Sequence, residues 1–313
     1  MNPLLLTPPI LWNLDRYSEA DSVCQIVEGR SDEFNREERL WWQLECSQHP
    51  ARELDAAKQL AESAPNLLQR VAMHALGANQ PLEAIEACSG YDPTVSRMMA
   101  EWAGSAWSNC MAAFHILGDY EGELEFIVEK RGEDVERFSR QETRALIALG
   151  RLDEAEELIE RRLSNLGPND SPISILNRAA QEYDAHMNPD VAKELWERAL
   201  QWLSSLPQET ADPVAYRRNK AGILLFLGRN EQALDLLEAL ASENPDVIAD
   251  QGRLGVARAA LGNRIGAEEI SQVLVPMDQP FRRGANIAWR SFIAARLGDL
   301  DEAVRLLDQA IAE

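Results

Sequence analysis

A Leu-Gly pair closes one apolar helical run after another along this chain, and an acidic run containing alanine follows each. The glycines are Gly77, Gly118, Gly150, Gly228, Gly262 and Gly298, at intervals of 41, 32, 78, 34 and 36 residues by subtraction. The interval of 78 divides in two if "AHMNPDVAKELWERAL" holds a degenerate member with Ala192 in the alanine place. Weaker members precede these, "LDRYSEADSV" with Ala20 and "CSQHPARELDAAKQLAESAP" with Ala56 or Ala57. A period in the mid-thirties is the mark of stacked helix pairs.

Each residue type in the pattern has a mechanical reason. Glycine after the last helical residue takes a left-handed backbone without steric cost, so all six glycines are read as helix-ending turns. Alanine five residues on, as in Ala155, falls where two helices must approach closely, and a larger side chain there overpacks. Prolines at Pro65, Pro93, Pro168, Pro245 and Pro280 follow second helices, stopping one unit and starting the next. Strand signals are absent: there is no sustained apolar/polar alternation and no Asn-Gly or Asp-Gly hairpin.

These residues resemble the tetratricopeptide repeat. In "LGVARAALGNRIGAEEI" the match rests on Leu254, Gly255, Gly262 and Ala267. In "AYRRNKAGILLFLGRNEQALDLLEALASENPD", Ala221, Leu224, Gly228, Ala233, Leu237 and Pro245 stand at the family's small, aromatic, turn, small, aromatic and proline places. Leucine largely replaces the aromatics, and the likeness runs from Leu40 to Glu313. A fainter likeness, in "ANQPLEAIEACSGYDP" and "AFHILGDYEGELEFI", is to helical-repeat regions attached to bacterial serine/threonine kinases and transcriptional regulators. The resemblance implies an all-α, right-handed superhelical solenoid of about eight or nine antiparallel helix pairs. The whole chain, 1–313, is read as one such array, with its register least defined over 1–34. Candidate joints lie at 164–172 and 204–213.

Composition narrows the function. A formal net charge of -21 repels nucleic acid. No apolar run approaches the roughly 20 residues of a membrane helix, and "MNPLLLTPPI" lacks the basic start of a signal peptide. Four cysteines without a C-x-x-C pair are read as reduced, partly buried thiols, which points to the cytoplasm. The four histidines stand alone, and no metal, phosphate-cradling or nucleophile motif occurs. We therefore expect no catalytic residue, no metal and no cofactor. The helix with Met98, Met99, Trp102, Trp107, Met111 and Phe114 is read as core, as is at least one of Trp41 and Trp42. Arg137, Arg140 and Arg144, at helical spacing, are read as ion-pairing with nearby glutamates.

The asymmetry that bears on binding is in the last three first helices (214–227, 247–261, 281–297). They hold Arg217, Arg218, Lys220, Arg253, Arg258, Arg282, Arg283, Arg290 and Arg296 against Asp250 alone, nine minus one or +8. The resemblance implies that first helices line a concave groove. The groove candidates are Arg218, Arg253, Arg290, Phe292 and Arg296, with Ala249, Gly252, Val256, Ala259 and Ala295 leaving room between them. Strict transfer of the family register turns Arg217, Arg258 and Arg290 partly inward. The expected function is a non-enzymatic scaffold that holds a protein or peptide, acidic or phosphorylated, in this groove. The alternatives are a detached regulatory array of a bacterial signalling system, or an enzyme on a helical toroid. Finally, "LDEAVRLLDQAIAE" is apolar on more than one face. Its cover is expected from a second copy in a homodimer, from the N-terminus, or from residues beyond this sequence.

Overall fold

The computed structural model describes residues 7–8, 11, 17–30, 32, 34–47, 49–90, 103–131, 138–166, 171–206, 213–277 and 284–312. Met98, Met99, Trp102, Arg137, Arg282, Arg283, Pro93, Pro168, Pro280 and the middles of both candidate joints lie outside them. Among the described residues there are seventeen helices of four residues or more and no strand. They divide into two compact units, one within Met1–Leu149 and one built from Gly150–Asp278 and Arg282–Glu313.

The first unit contains α1 (Tyr17–Glu28), α2 (Arg36–Cys46), α3 (Pro50–Ser63), α4 (Leu68–Gly77), α5 (Pro81–Ser89), α6 (Ala103–Ile116), α7 (Tyr120–Arg131) and α8 (Ser139–Ala148). The second contains α9 (Leu152–Ser164), α10 (Pro172–Ala185), α11 (Pro189–Ser205), α12 (Pro213–Phe226), α13 (Asn230–Glu243), α14 (Ile248–Ala260), α15 (Arg264–Leu274), α16 (Ala285–Leu297) and α17 (Leu300–Ala312). Proline at the first helical position, where no amide partner is needed, opens α3, α5, α10, α11 and α12.

Turn geometry follows the glycine pattern with two departures. Gly118, Gly150, Gly228, Gly262 and Gly298 all have positive φ. Gly228 donates to Leu225 O at 3.0 Å and Arg229 to Leu224 O at 2.8 Å, the paired bonds that satisfy the last carbonyls of a helix. Gly77 does not serve this way. It ends α4 within the helix, and Asn79 (φ 54) takes the left-handed place, with its amide and that of Gln80 closing on Leu76 O and Ala75 O. Asparagine tolerates that region better than other residues with a Cβ. The gap of 78 is filled by Met187 (φ 63), whose amide donates to Asp184 O while that of Asn188 donates to Tyr183 O, the same pair of bonds. Its side chain is 86% exposed and pays nothing back for the strained backbone.

Five residues after these turn positions stand Ala84, Ala155, Ala192, Ala233, Ala267 and Ala303, all buried. The exception is Glu123, in the same slot after Gly118 and fully buried. Its oxygens accept from His115 Nδ1 at 2.8 Å and from the Arg144 guanidinium, so α6, α7 and α8 meet on one carboxylate. Trp107, Cys110 and Met111 of α6 lie in the core of the first unit, and Trp41 and Trp42 are half-buried around Val27 and Phe34.

The cysteines are not free thiols. Cys24 is bonded to Cys46 and Cys88 to Cys110, with Cα atoms 5.4 and 6.0 Å apart and a sequence separation of 22 in each case. Each bond ties two helices, α1 to α2 and α5 to α6. A C-x-x-C search misses pairs set this far apart, and the thiol argument for a cytoplasmic home falls with them. No helix of the described residues is long and apolar enough to cross a membrane.

Two expectations follow. A Cβ on Gly228 would meet nothing within 4 Å, so any cost there is backbone strain alone. Gly228→Ala should lose about 1 kcal/mol, while Met187→Gly should gain about 0.5–1 kcal/mol, since a left-handed L-residue costs roughly 1–2 kcal/mol and glycine returns part of that as chain entropy. Urea denaturation checks both; opposite signs are required. Reducing both disulfides should cost the first unit about 3 kcal/mol for each closed loop. Melting curves with and without dithiothreitol measure this, and a reduced protein as stable as the oxidised one would contradict it.

Candidate functional site

One cavity of about 720 Å³ lies wholly within the second unit. Its walls are the first helices of four consecutive pairs. From α10 come Ile173, Asn177 and Gln181; from α12, Arg218, Asn219, Gly222, Ile223, Leu225 and Phe226; from α14, Arg253, Val256 and Ala260; and from α16, Trp289, Phe292, Ala295 and Arg296. The steps of three and four residues on α14 and α16 are one face of a helix. That face has a fixed relation to the turn. Counting two, six and nine back from Gly298 gives Arg296, Phe292 and Trp289; from Gly262, Ala260, Val256 and Arg253; from Gly228, Phe226, Gly222 and Asn219.

Close packing shapes the wall. A Cβ on Gly252 would lie 2.2 Å from the Trp289 ring, and one on Gly255 2.3 Å from Ile293. These glycines let α16 settle on α14. Gly252 was expected to leave space for a ligand, as was Ala259; instead Trp289 covers Gly252, and Ala259 is buried. Trp289 in turn supports Phe292 edge-on, with centroids 5.6 Å apart. Phe226 stacks on Trp196 of α11 at 4.9 Å, and the same indole donates to Asn177 Oδ1 at 3.1 Å. Phe226 and Phe292 are both 48% exposed, yet each is held by a tryptophan behind it.

Among the described residues, all charged side chains lining the cavity are arginines: Arg218, Arg253 and Arg296. Behind them lies Asp250, fully buried. Arg218 donates from Nε to both Asp250 oxygens at 3.0 Å and from Nη2 at 2.6 Å, a bidentate pair. Arg253 stands 4.0 Å from the same carboxylate. Burial pushes the Arg253 guanidinium below its ordinary range, the charge of Asp250 opposes this, and that of Arg218 adds to it. Arg296, exposed near the end of α16, makes no ion pair with the described residues.

The remaining arginines turn away. Arg217 grips Glu243 of α13 at 2.7 and 2.5 Å, and Arg258 reaches Glu238 of α13 at 3.2 Å. Arg290 is absent from the cavity lining. Its charge acts on Glu302 of α17, whose carboxyl is held below the usual range first by its bond with Arg305 and then by Arg290. On a helix, neighbours one position apart point about 100° apart, so an arginine count over a whole helix overstates its inner face. Sequence reading passed over Trp289, Phe226, Asn177, Asn219 and Gln181. Counting back from each turn glycine would have found the first, second and fourth, and the same count from Met187 the fifth.

Solved structures similar to this chain include a putative kinesin light chain with nearly identical TPR-like repeats from Podosopora anserina, at 24% identity over 56% of this chain and 92% of that one, with a TM-score of 0.37. A tetratricopeptide repeat protein from Parabacteroides merdae is 12% identical over 81% of this chain and 91% of that one, with a TM-score of 0.45. No family model matches the chain, and no curated protein matches it. The all-α array of repeated helix pairs stands on the turn, alanine-slot and helix-pair geometry above.

Proposed function

We propose that this tetratricopeptide-like array is a non-enzymatic protein-interaction scaffold whose second unit holds an extended, acidic or phosphorylated segment of a partner protein. The observation that carries the reading is the cavity on α10, α12, α14 and α16, where the charged lining residues among those described are Arg218, Arg253 and Arg296 and none is acidic. In a chain of net charge -21 such a wall is a local reversal of sign. Arginine forks suit carboxylate and phosphate oxygens, and aromatic side chains held in place contribute contact area at low entropic cost. Arg290, placed away from the cavity, has no part in this proposal.

A second surface supports self-association. On α17, Leu300, Val304, Leu307 and Ile311 are exposed along one stripe at spacings of 4, 3 and 4, while Ala303 and Leu306 are buried. A second copy of the chain laid on this stripe would cover it, though four side chains make a small interface, suited to a weak dimer.

A labelled glutamate-rich peptide should bind the full chain with an affinity that falls as salt is raised from low to about physiological strength. Arg296→Glu should weaken it about tenfold with the far-ultraviolet dichroism unchanged. Salt-independent binding, or an Arg296→Glu protein that binds equally well, would remove the groove reading. Light scattering tests the dimer: Val304→Asp with Leu307→Asp should abolish any concentration-dependent rise in mass, and a wild-type chain that stays monomeric at high concentration would exclude that interface.

A further inference from the structure

Charge alone does not account for the cavity wall. Resting on the groove reading, we propose that the cavity selects a two-point motif: a large apolar side chain seated on Phe226, Val256 and Phe292, with an oxyanion one or two residues away held by Arg253 and Arg296.

The apolar point follows from register. Val256 and Phe292 occupy the same place, six residues before the turn glycines of their pairs, and so repeat along the wall from α14 to α16. Phe226 adds an exposed ring from α12. Gly222, at that same place on α12, has nothing within 4 Å of where a Cβ would stand, so the wall recedes there and leaves depth for a side chain. The rings are already fixed, by stacking on Trp196 and by edge contact with Trp289. Little rotamer freedom is left to lose on binding. A cavity of about 720 Å³ is of the size that takes one large side chain with its flanking backbone.

The anionic point follows from how the positive charge is shared. Asp250 is spent on Arg218, which engages both of its oxygens. Arg253 receives the same carboxylate only at 4.0 Å while burial disfavours its charged form. Arg296 has no ionic partner among the described residues. Two cations thus line the cavity with less than one carboxylate between them, and an incoming oxyanion supplies what Arg253 and Arg296 lack. A carboxylate and a phosphate ester share this chemistry; the first offers one charge, the second nearly two.

The test uses labelled peptides of alternating leucine and glutamate against the full chain, by fluorescence polarisation. Companion peptides carry alanine for leucine, glutamine for glutamate, or phosphoserine for glutamate. Replacing leucine or replacing glutamate should each weaken binding about tenfold. Phe292→Ala should reduce the preference for leucine over alanine while keeping the response to salt, and Arg296→Gln should reduce the preference for glutamate over glutamine while keeping the preference for leucine. Both side chains are exposed, so dichroism should not move. Tighter binding of the phosphoserine peptide than of the glutamate peptide identifies a phosphorylated segment as the source, and the reverse order an acidic one. If the alanine and leucine peptides bind alike, the two-point motif is overturned and the acidic-segment reading stands. If no peptide binds in a salt-dependent way, both fall.

Discussion

The close approach of two helices five residues after each turn sets the rest of the structure. At Ala84, Ala155, Ala192, Ala233 and Ala267 no side-chain surface is left exposed, so the second helix of each pair meets its neighbours through a methyl group. Protein interiors are packed too densely to absorb even a methylene at such points without a shift. The slot recurs five residues after each turn, so successive pairs stack in the same register. In the second unit this places the residues two, six and nine before the turn on one wall in α12, α14 and α16. The cavity wall thus repeats in the same register as the alanine slot, while its side chains differ from pair to pair.

That dependence explains what was legible in the sequence. Turn glycines and slot alanines are single residue types demanded by geometry, so Gly118, Gly228, Gly262 and Gly298 declare their positions without a structure. Asn79 and Met187 meet the same backbone demand with residues that carry no such signature, and the hydrogen bonds alone reveal them. Glu123 conceals a slot in a different way. A carboxylate there is tolerable only because His115 precedes it by one helix and Arg144 follows by another, and no local pattern announces partners 8 and 21 residues away. The disulfides escaped for the same reason, being contacts between helices at a separation of 22.

The candidate site was legible in its sign and less so in its membership. A surplus of arginine on first helices is visible by counting, and Arg218, Arg253, Phe292 and Arg296 do lie on one cavity. Counting does not say which arginines already have partners. Arg217 and Arg258 are matched to acids on α13, and Arg290 acts on Glu302 of α17, so the outer acidic helices draw off part of the charge. Such half-exposed pairs contribute little stability by themselves. Their larger effect is to decide which cations stay available to a ligand.

Asp250 makes the same decision from the inside. It is the lone acid in α12, α14 and α16, and it is fully buried next to the cavity. Glu123 in the first unit is its counterpart: a fully buried carboxylate that receives an arginine from the helix that follows its own, whereas Asp250 receives Arg218 from the preceding first helix. Buried carboxylates held this way seldom add net stability over an apolar replacement, but removing either partner is costly. What Asp250 does add is order. Gripped at both oxygens, Arg218 becomes part of the wall, and Arg253 is left within reach of a carboxylate too committed to neutralise it. A buried negative charge, which a simple count would set against anion binding, thereby fixes where on the wall the positive charge remains.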